Sequence, residues 1–278
     1  MNVFGGSRRI SKGPRGLRGF PGRDALELCN YLPNTITRSL RENDQVGSFV
    51  LTSPEDCEIV SDSVQKWKSK RIGTPREENF KAEKPSKLSK IEHTDKYALN
   101  FPGKYRNNYL RIFTALRAFG YLCTTFRTDS DATQTLLRSN QGRKGGMFYH
   151  EITVTGTDIS IHGGRERKHA VEHIQCNTKK WTTFYLEWST TGSPPYFTTN
   201  FSYIINNDPD QEGRFQLEQF IGVMPGFTLG DRSDESREKS QPFSGQVHAL
   251  ENYLSDHPIP ESFKKLVISK QMIETTQL

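Results

Sequence analysis

Glycine stands at every third position near the start of the chain, at Gly13, Gly16, Gly19 and Gly22, in the run Gly-Pro-Arg, Gly-Leu-Arg, Gly-Phe-Pro, Gly-Arg-Asp. Three polyproline-like strands wound about one axis leave room there only for a residue without a side chain. The register therefore points to a collagen-like triple helix, and so to a homotrimer. Pro14 and Pro21 fill variable positions of the triplets, while Ile10 and Ser7 break the phase before Gly13. The first picture is a short trimeric stub, residues 1–23, carrying three copies of a body with no repeat.

The charge is concentrated in the same stub. Arg8, Arg9, Lys12, Arg15, Arg18 and Arg23 precede the first acidic residue, Asp24, and equal the whole formal excess of +6. Such an arm suits contact with an acidic polymer (nucleic acid, sulfated glycan or anionic membrane surface), or it serves only to solvate an exposed stalk. No stretch approaches the length of a membrane span, and the N-terminus lacks a signal-peptide core. With a collagen-like start, this leads to the expectation of an extracellular or virion-surface protein exported by another route. Cys29, Cys57, Cys123 and Cys176 form no Cys-x-x-Cys pair, so neither a zinc ribbon nor a thioredoxin-type site is indicated.

Beyond the repeat, Leu26, Cys29, Leu32, Ile36 and Leu40 recur at helical spacing around Pro33, with Asp24 and Asn34 able to cap the two pieces. These short helices either align the three chains or pack on their own head. Val46 to Leu51 reads as a strand, Thr52 to Asp56 as a turn and Cys57 to Val60 as a return, completing a neck over 24–67. The lysine-rich stretch 68–95, with Pro75 and Pro85, reads as an irregular linker. From 96 to 278 the pattern is β throughout. Ile152 and Val154, then Ile159 and Ile161, alternate about Gly156-Thr157-Asp158 as a hairpin. Trp181, Phe184, Leu186 and Trp188 mark another strand, Phe197, Phe201, Tyr203 and Ile205 the next, and Phe215, Leu217, Ile221 and Val223 a further one. Many short strands with aromatic faces predict an all-β, two-sheet antiparallel sandwich.

The order of motifs in this body resembles the concanavalin A-like jelly rolls of the laminin-G and pentraxin branch. Tyr97-Ala98-Leu99-Asn100-Phe101-Pro102-Gly103 is similar to the opening strand, and Tyr121 to Phe126 with Gln134 to Leu137 to the strands that follow. Trp181 to Trp188, Phe227 to Gly230, and Phe243 to Leu250 with Tyr253, Leu254 and Ile259 resemble the later elements. The resemblance implies a jelly-roll head and calcium held by loop carboxylates, at Asp129 and Asp131 or at Asp231 and Asp234, with Glu235 beside the latter pair. It departs at the cysteines. Pentraxins bridge to the strand holding Trp188, whereas Cys176 lies before Trp181.

Catalytic signatures are weak. His169-Ala170-Val171-Glu172-His173 spells an inverted zinc-peptidase motif, but that chemistry needs one helical face, and this run lies in β territory. No paired-carboxylate strand of a sandwich glucanase occurs, and Glu187 stands alone between aromatic neighbours. Asn200-Phe201-Ser202 spells a glycosylation acceptor in mid-strand, where it is an accident of spelling. No motif requires a cofactor, and no enzyme is expected.

Two functions from different classes follow. In the first, trimeric lectin-like heads bind a glycan or protein receptor through rim loops, with Asp129, Asp131, Asp231, Arg232 and Asp234 in contact, and several heads engage together. In the second, the chain is a matrix or capsid building block whose basic arm holds the polyanion. Both need three chains. Light scattering of the full chain is expected to give three times its 31.8 kDa mass; a single-chain mass removes the trimer.

Overall fold

A computed structural model of the chain describes residues 45–68, 80–103, 108–109, 119–139, 149–165, 168–193, 196–218, 227–230, 241–255 and 257–273. The Gly-x-x run, the basic arm and the helices expected after Asp24 lie outside the described residues.

Strands numbered in chain order form two sheets. The larger has the order β14 (Asp208–Glu218), β13 (Tyr196–Ile205), β12 (Thr182–Ser193), β7 (Phe119–Thr128), β17 (Ser244–Ser255), β5 (Tyr97–Pro102), β4 (Phe80–Lys90), β3 (Ser63–Trp67), β2 (Cys57–Val60). Strand β1 (Gln45–Val50) also pairs with β17, and β6 (Asn108–Tyr109) with β4. The smaller sheet runs β11 (Lys168–Gln175), β10 (Asp158–Arg165), β9 (Tyr149–Val154), β8 (Gln134–Ser139), β15 (Phe227–Leu229), with β16 (Gln241–Pro242) beside β8. This is the expected all-β jelly-roll sandwich.

Alternation along each strand builds the core between the sheets. Leu122 and Phe126 of β7, Phe184, Leu186 and Trp188 of β12, and Phe201 and Ile205 of β13 meet Leu137, Ile152, Val154, Ile159 and Ile161 of the smaller sheet, all buried. Each such side chain withdrawn from water is worth roughly 1.5–3 kcal/mol. The expected hairpin is present, with Ile152 opposite Ile161 and Val154 opposite Ile159. Two-residue turns at Ser61-Asp62 and Asn206-Asn207 have positive φ at both positions, the twist that short hairpins require.

The larger sheet is covered on its other face as well. Helix α1 (Glu261–Gln271) lays Val267 and Ile268 over Tyr121, Cys123, Tyr185 and Tyr253. Tyr121 stacks between Tyr185 and Tyr253, ring centroids 5.2 and 5.5 Å away, and its hydroxyl donates to buried Glu251 at 2.6 Å. Burial first, and the Glu251 carboxylate second, push the Tyr121 hydroxyl well above its ordinary pKa, so it stays a donor.

Four sequence expectations change, the first being that Glu261–Gln271, read as part of a wholly β pattern, is helix α1. Strand β1 does not pair with β2. It pairs with β17, and Phe49 and Leu51 enter the main core, so residues expected in a neck belong to the sandwich. The hairpin there is β2–β3 instead. Within the stretch read as linker, Phe80–Lys90 is a strand bonded to β5, because backbone pairing with an existing edge supplies what the polar side chains cannot. Ile221 and Val223, assigned to the strand of Phe215, lie outside the described residues. Among those described, no helix is long and apolar enough to cross a membrane.

A register shift in β17 between Val247 and Ala249 leaves His248 fully buried. Its Nδ1 lies 2.7 Å from the Tyr97 carbonyl, and its Nε2 is buried without a partner among the described residues. Burial, opposed by that hydrogen bond and reinforced by Lys96, brings its pKa down from 6.5 to about 4. The unfolded chain therefore takes up a proton that the fold refuses, and stability should drop as pH falls from 6.5 towards 4. At 1.36 kcal/mol per pKa unit the loss amounts to about 3 kcal/mol. Urea midpoints across this range should fall less steeply for His248→Gln than for the parent; parallel pH profiles would contradict the assignment.

Candidate functional site

The expected rim loop is anchored by a buried amide. Where the chain crosses from β7 to β8, Gln134 accepts from Thr128 Oγ1 at 3.1 Å and from the Ser244 backbone N–H at 3.0 Å. That fixes both ends of a loop exposing Asp129 and Asp131. Asp131 is engaged already, because Lys179 Nζ stands 2.7 Å from its Oδ2. Calcium takes six to eight oxygens, and of the two carboxylates on this loop Asp131 is paired with Lys179. Among the described residues no group of three His, Cys, Asp or Glu side chains is placed to hold a metal. Asp231, Arg232, Asp234 and Glu235 lie outside the described residues.

The His-x-x-Glu-His run is part of strand β11, as its β surroundings suggested. His173 Nδ1 lies 2.8 Å from Ser160 Oγ and 3.3 Å from Asp158 Oδ2. All three meet through one ring nitrogen, so the imidazole does not relay a proton between serine and aspartate as a hydrolytic triad requires. The thiols are no better suited to chemistry. Burial pushes Cys57 and Cys176 up to about 12, and raises Cys123 well above the ordinary value. Cys123 and Cys176 are free. Cys123 lies under the helix, whereas Cys176 packs against the core between the sheets, so the larger sheet separates them. Glu187 accepts from the Tyr185 hydroxyl at 3.0 Å.

Sequence reasoning missed a row of polar side chains on the outer face of the larger sheet, between the rim and the C-terminal end of the helix. Lys87 pairs with Asn100, Asn100 with Gln246, and Gln246 with Arg127 across β4, β5, β17 and β7. Their neighbours Leu99, Phe126 and Val247 point into the core, so alternation turns these four outward. Gln246 Nε2 donates to Asn100 Oδ1 at 2.6 Å, and Asn100 Nδ2 donates to Ser89 Oγ at 2.9 Å. Trp181 closes the row, with the Arg127 guanidinium carbon 5.8 Å from its ring centroid. The tryptophan was expected inside strand β12 but stands one residue before it, resting against Ile91, Ala98 and Ile273. Arg127, Trp181, Asn100, Ser89 and Gln246 are half-buried, and Lys87 is exposed. The available signal was alternation: polar residues between Leu99 and Phe101, and next to Phe126 and Val247, had to share the opposite face.

No protein-family model matches the chain, and no curated protein matches it. Solved structures do. The binding domain of botulinum neurotoxin serotype D/C is 8% identical, covering 83% of this chain and 53% of that one, with a TM-score of 0.55. A structure described as showing that cell entry of botulinum neurotoxin type C depends on interaction with two ganglioside molecules is also 8% identical, covering 82% and 52%, with a TM-score of 0.51. Domains LG4-5 of the mouse laminin α1 chain are 12% identical over 67% of this chain and 48% of that one, with a TM-score of 0.41. The chain thus matches about half of each of these three molecules, and the likeness to the two neurotoxin structures is one of fold.

The Asp131–Lys179 pair is exposed on both sides and should contribute less than about 1 kcal/mol. Urea unfolding of Lys179→Ala is expected to shift by no more than that; a larger loss would mean that the rim is braced by this contact.

Proposed function

We propose that the chain is a non-catalytic recognition protein whose head binds glycan on the outer face of its larger sheet. The observation that carries this reading is the row of Asn100, Gln246, Arg127 and Trp181. Amide groups offer a donor and an acceptor side by side, which suits the vicinal hydroxyls of a sugar. The indole presents a rigid apolar surface with a polar edge, the pairing that a sugar ring with its C–H face and hydroxyl rim matches. The row is fixed by the sheet register, so little side-chain freedom is lost on binding. The gangliosides named for a neighbour of similar fold point the same way.

Single heads of this kind bind weakly, and the Gly-x-x run fits that limitation. Three heads on one stub would engage a glycan-covered surface together, raising strength without new contacts. An extracellular or virion-surface setting, with the basic arm available to an acidic polymer, accords with the design.

The test is a glycan array with the full chain, followed by titration of the best ligand against Trp181→Ala. Loss of the indole should weaken binding by about tenfold or more, some 1.4 kcal/mol. An array without selective binding, or a ligand indifferent to Trp181, would refute the reading.

A further inference from the structure

We propose that the saccharide taken by this face is an acidic one, its carboxylate or sulfate held by Arg127, with Lys87 at the far end of the row adding positive charge to the face. The inference rests on the glycan-binding reading above and specifies its ligand class. The row places a cation at each of two points separated by the amides of Asn100 and Gln246. Adjacent strands are about 4.8 Å apart, so Lys87 and Arg127 stand three spacings apart, about 14 Å along the row.

Neither cation is matched by a carboxylate among the described residues. Arg127 meets only the Trp181 ring, and its Nε is buried without a hydrogen-bond partner. Lys87 is exposed, and Lys180, next to Trp181 in sequence, is exposed as well. The nearby acids do not cancel them. Asp131 is taken by Lys179, and Asp129 lies two residues beyond Arg127 on the rim loop. A half-buried guanidinium with unused donors is a costly arrangement unless an anion completes it. Its flat fork suits a carboxylate or a sulfate, and the indole over it keeps it in place.

The test uses three soluble conjugates of one sugar (lactose, sialyllactose and 3′-sulfolactose) titrated against the full chain near physiological salt. Acidic forms should bind at least tenfold tighter than lactose, and the sialyl and sulfo conjugates tell carboxylate from sulfate. Lys87→Glu changes an exposed side chain, so folding should be unaffected, and it should lower the acidic preference severalfold. Arg127→Gln should abolish the acidic preference, and it should weaken lactose binding as well because Arg127 belongs to the row. A companion variant carries glutamine at Arg8, Arg9, Lys12, Arg15, Arg18 and Arg23, and it should keep the preference. Equal binding of all three conjugates overturns the acidic assignment but leaves glycan recognition standing. A preference that vanishes with the arm cations and ignores Lys87 also overturns it. No binding by any conjugate overturns the acidic assignment, while the glycan reading stands or falls by the array.

Discussion

Strand β7 is buried on both faces, and the rest of the molecule is arranged around that constraint. A strand in such a position must satisfy two cores by alternation, with Leu122 and Phe126 facing the smaller sheet and Tyr121 and Cys123 facing the helix. Its neighbours β12 and β17 repeat the division, so the larger sheet is the middle layer of three over part of its area. A one-residue slip would exchange the two sets, placing Tyr121 between the sheets without Glu251 to receive its hydroxyl. Polar groups on the helix side therefore fix register as much as they add stability. Where the helix ends, the same outward parity continues uncovered, and the residues standing there are Arg127, Gln246 and Asn100.

Legibility in the sequence followed how local each signal was. The hairpin at Ile152 to Ile161 could be read from period-two alternation, and the strands of Phe184 to Trp188 and Phe201 to Ile205 from their aromatic faces. What could not be read was pairing between distant segments. Nothing in Val46 to Leu51 says that its partner lies two hundred residues later, beside Tyr253. The strand Phe80–Lys90 was hidden for a related reason. Its lysines and Pro85 satisfy no propensity rule, and only an available edge makes it a strand.

The candidate site was legible in part. The rim loop was marked by its acidic and small residues, and Asp129 and Asp131 are exposed on it, but composition gave no hint that Lys179 would reach Asp131 across the rim. The row on the sheet was missed because each of its residues is unremarkable alone. Asn100 sits in an opening strand, Gln246 in a closing one, Arg127 between a phenylalanine and a threonine. Only the registers of β4, β5, β17 and β7 bring them side by side. Trp181 was noticed, but as part of a strand, since the residue before a strand and the first residue of one look alike in sequence.

The pairing of β1 with β17 has a geometric consequence for anything tethered upstream. Gln45 lies opposite Leu254, whereas Gln246 is near the other end of the same strand. Eight residues of extended chain separate them, roughly 26 Å at about 3.3 Å per residue. A leash attached at Gln45 therefore pulls from the pole opposite the amides, and tension along it leaves that far pole free to meet a surface.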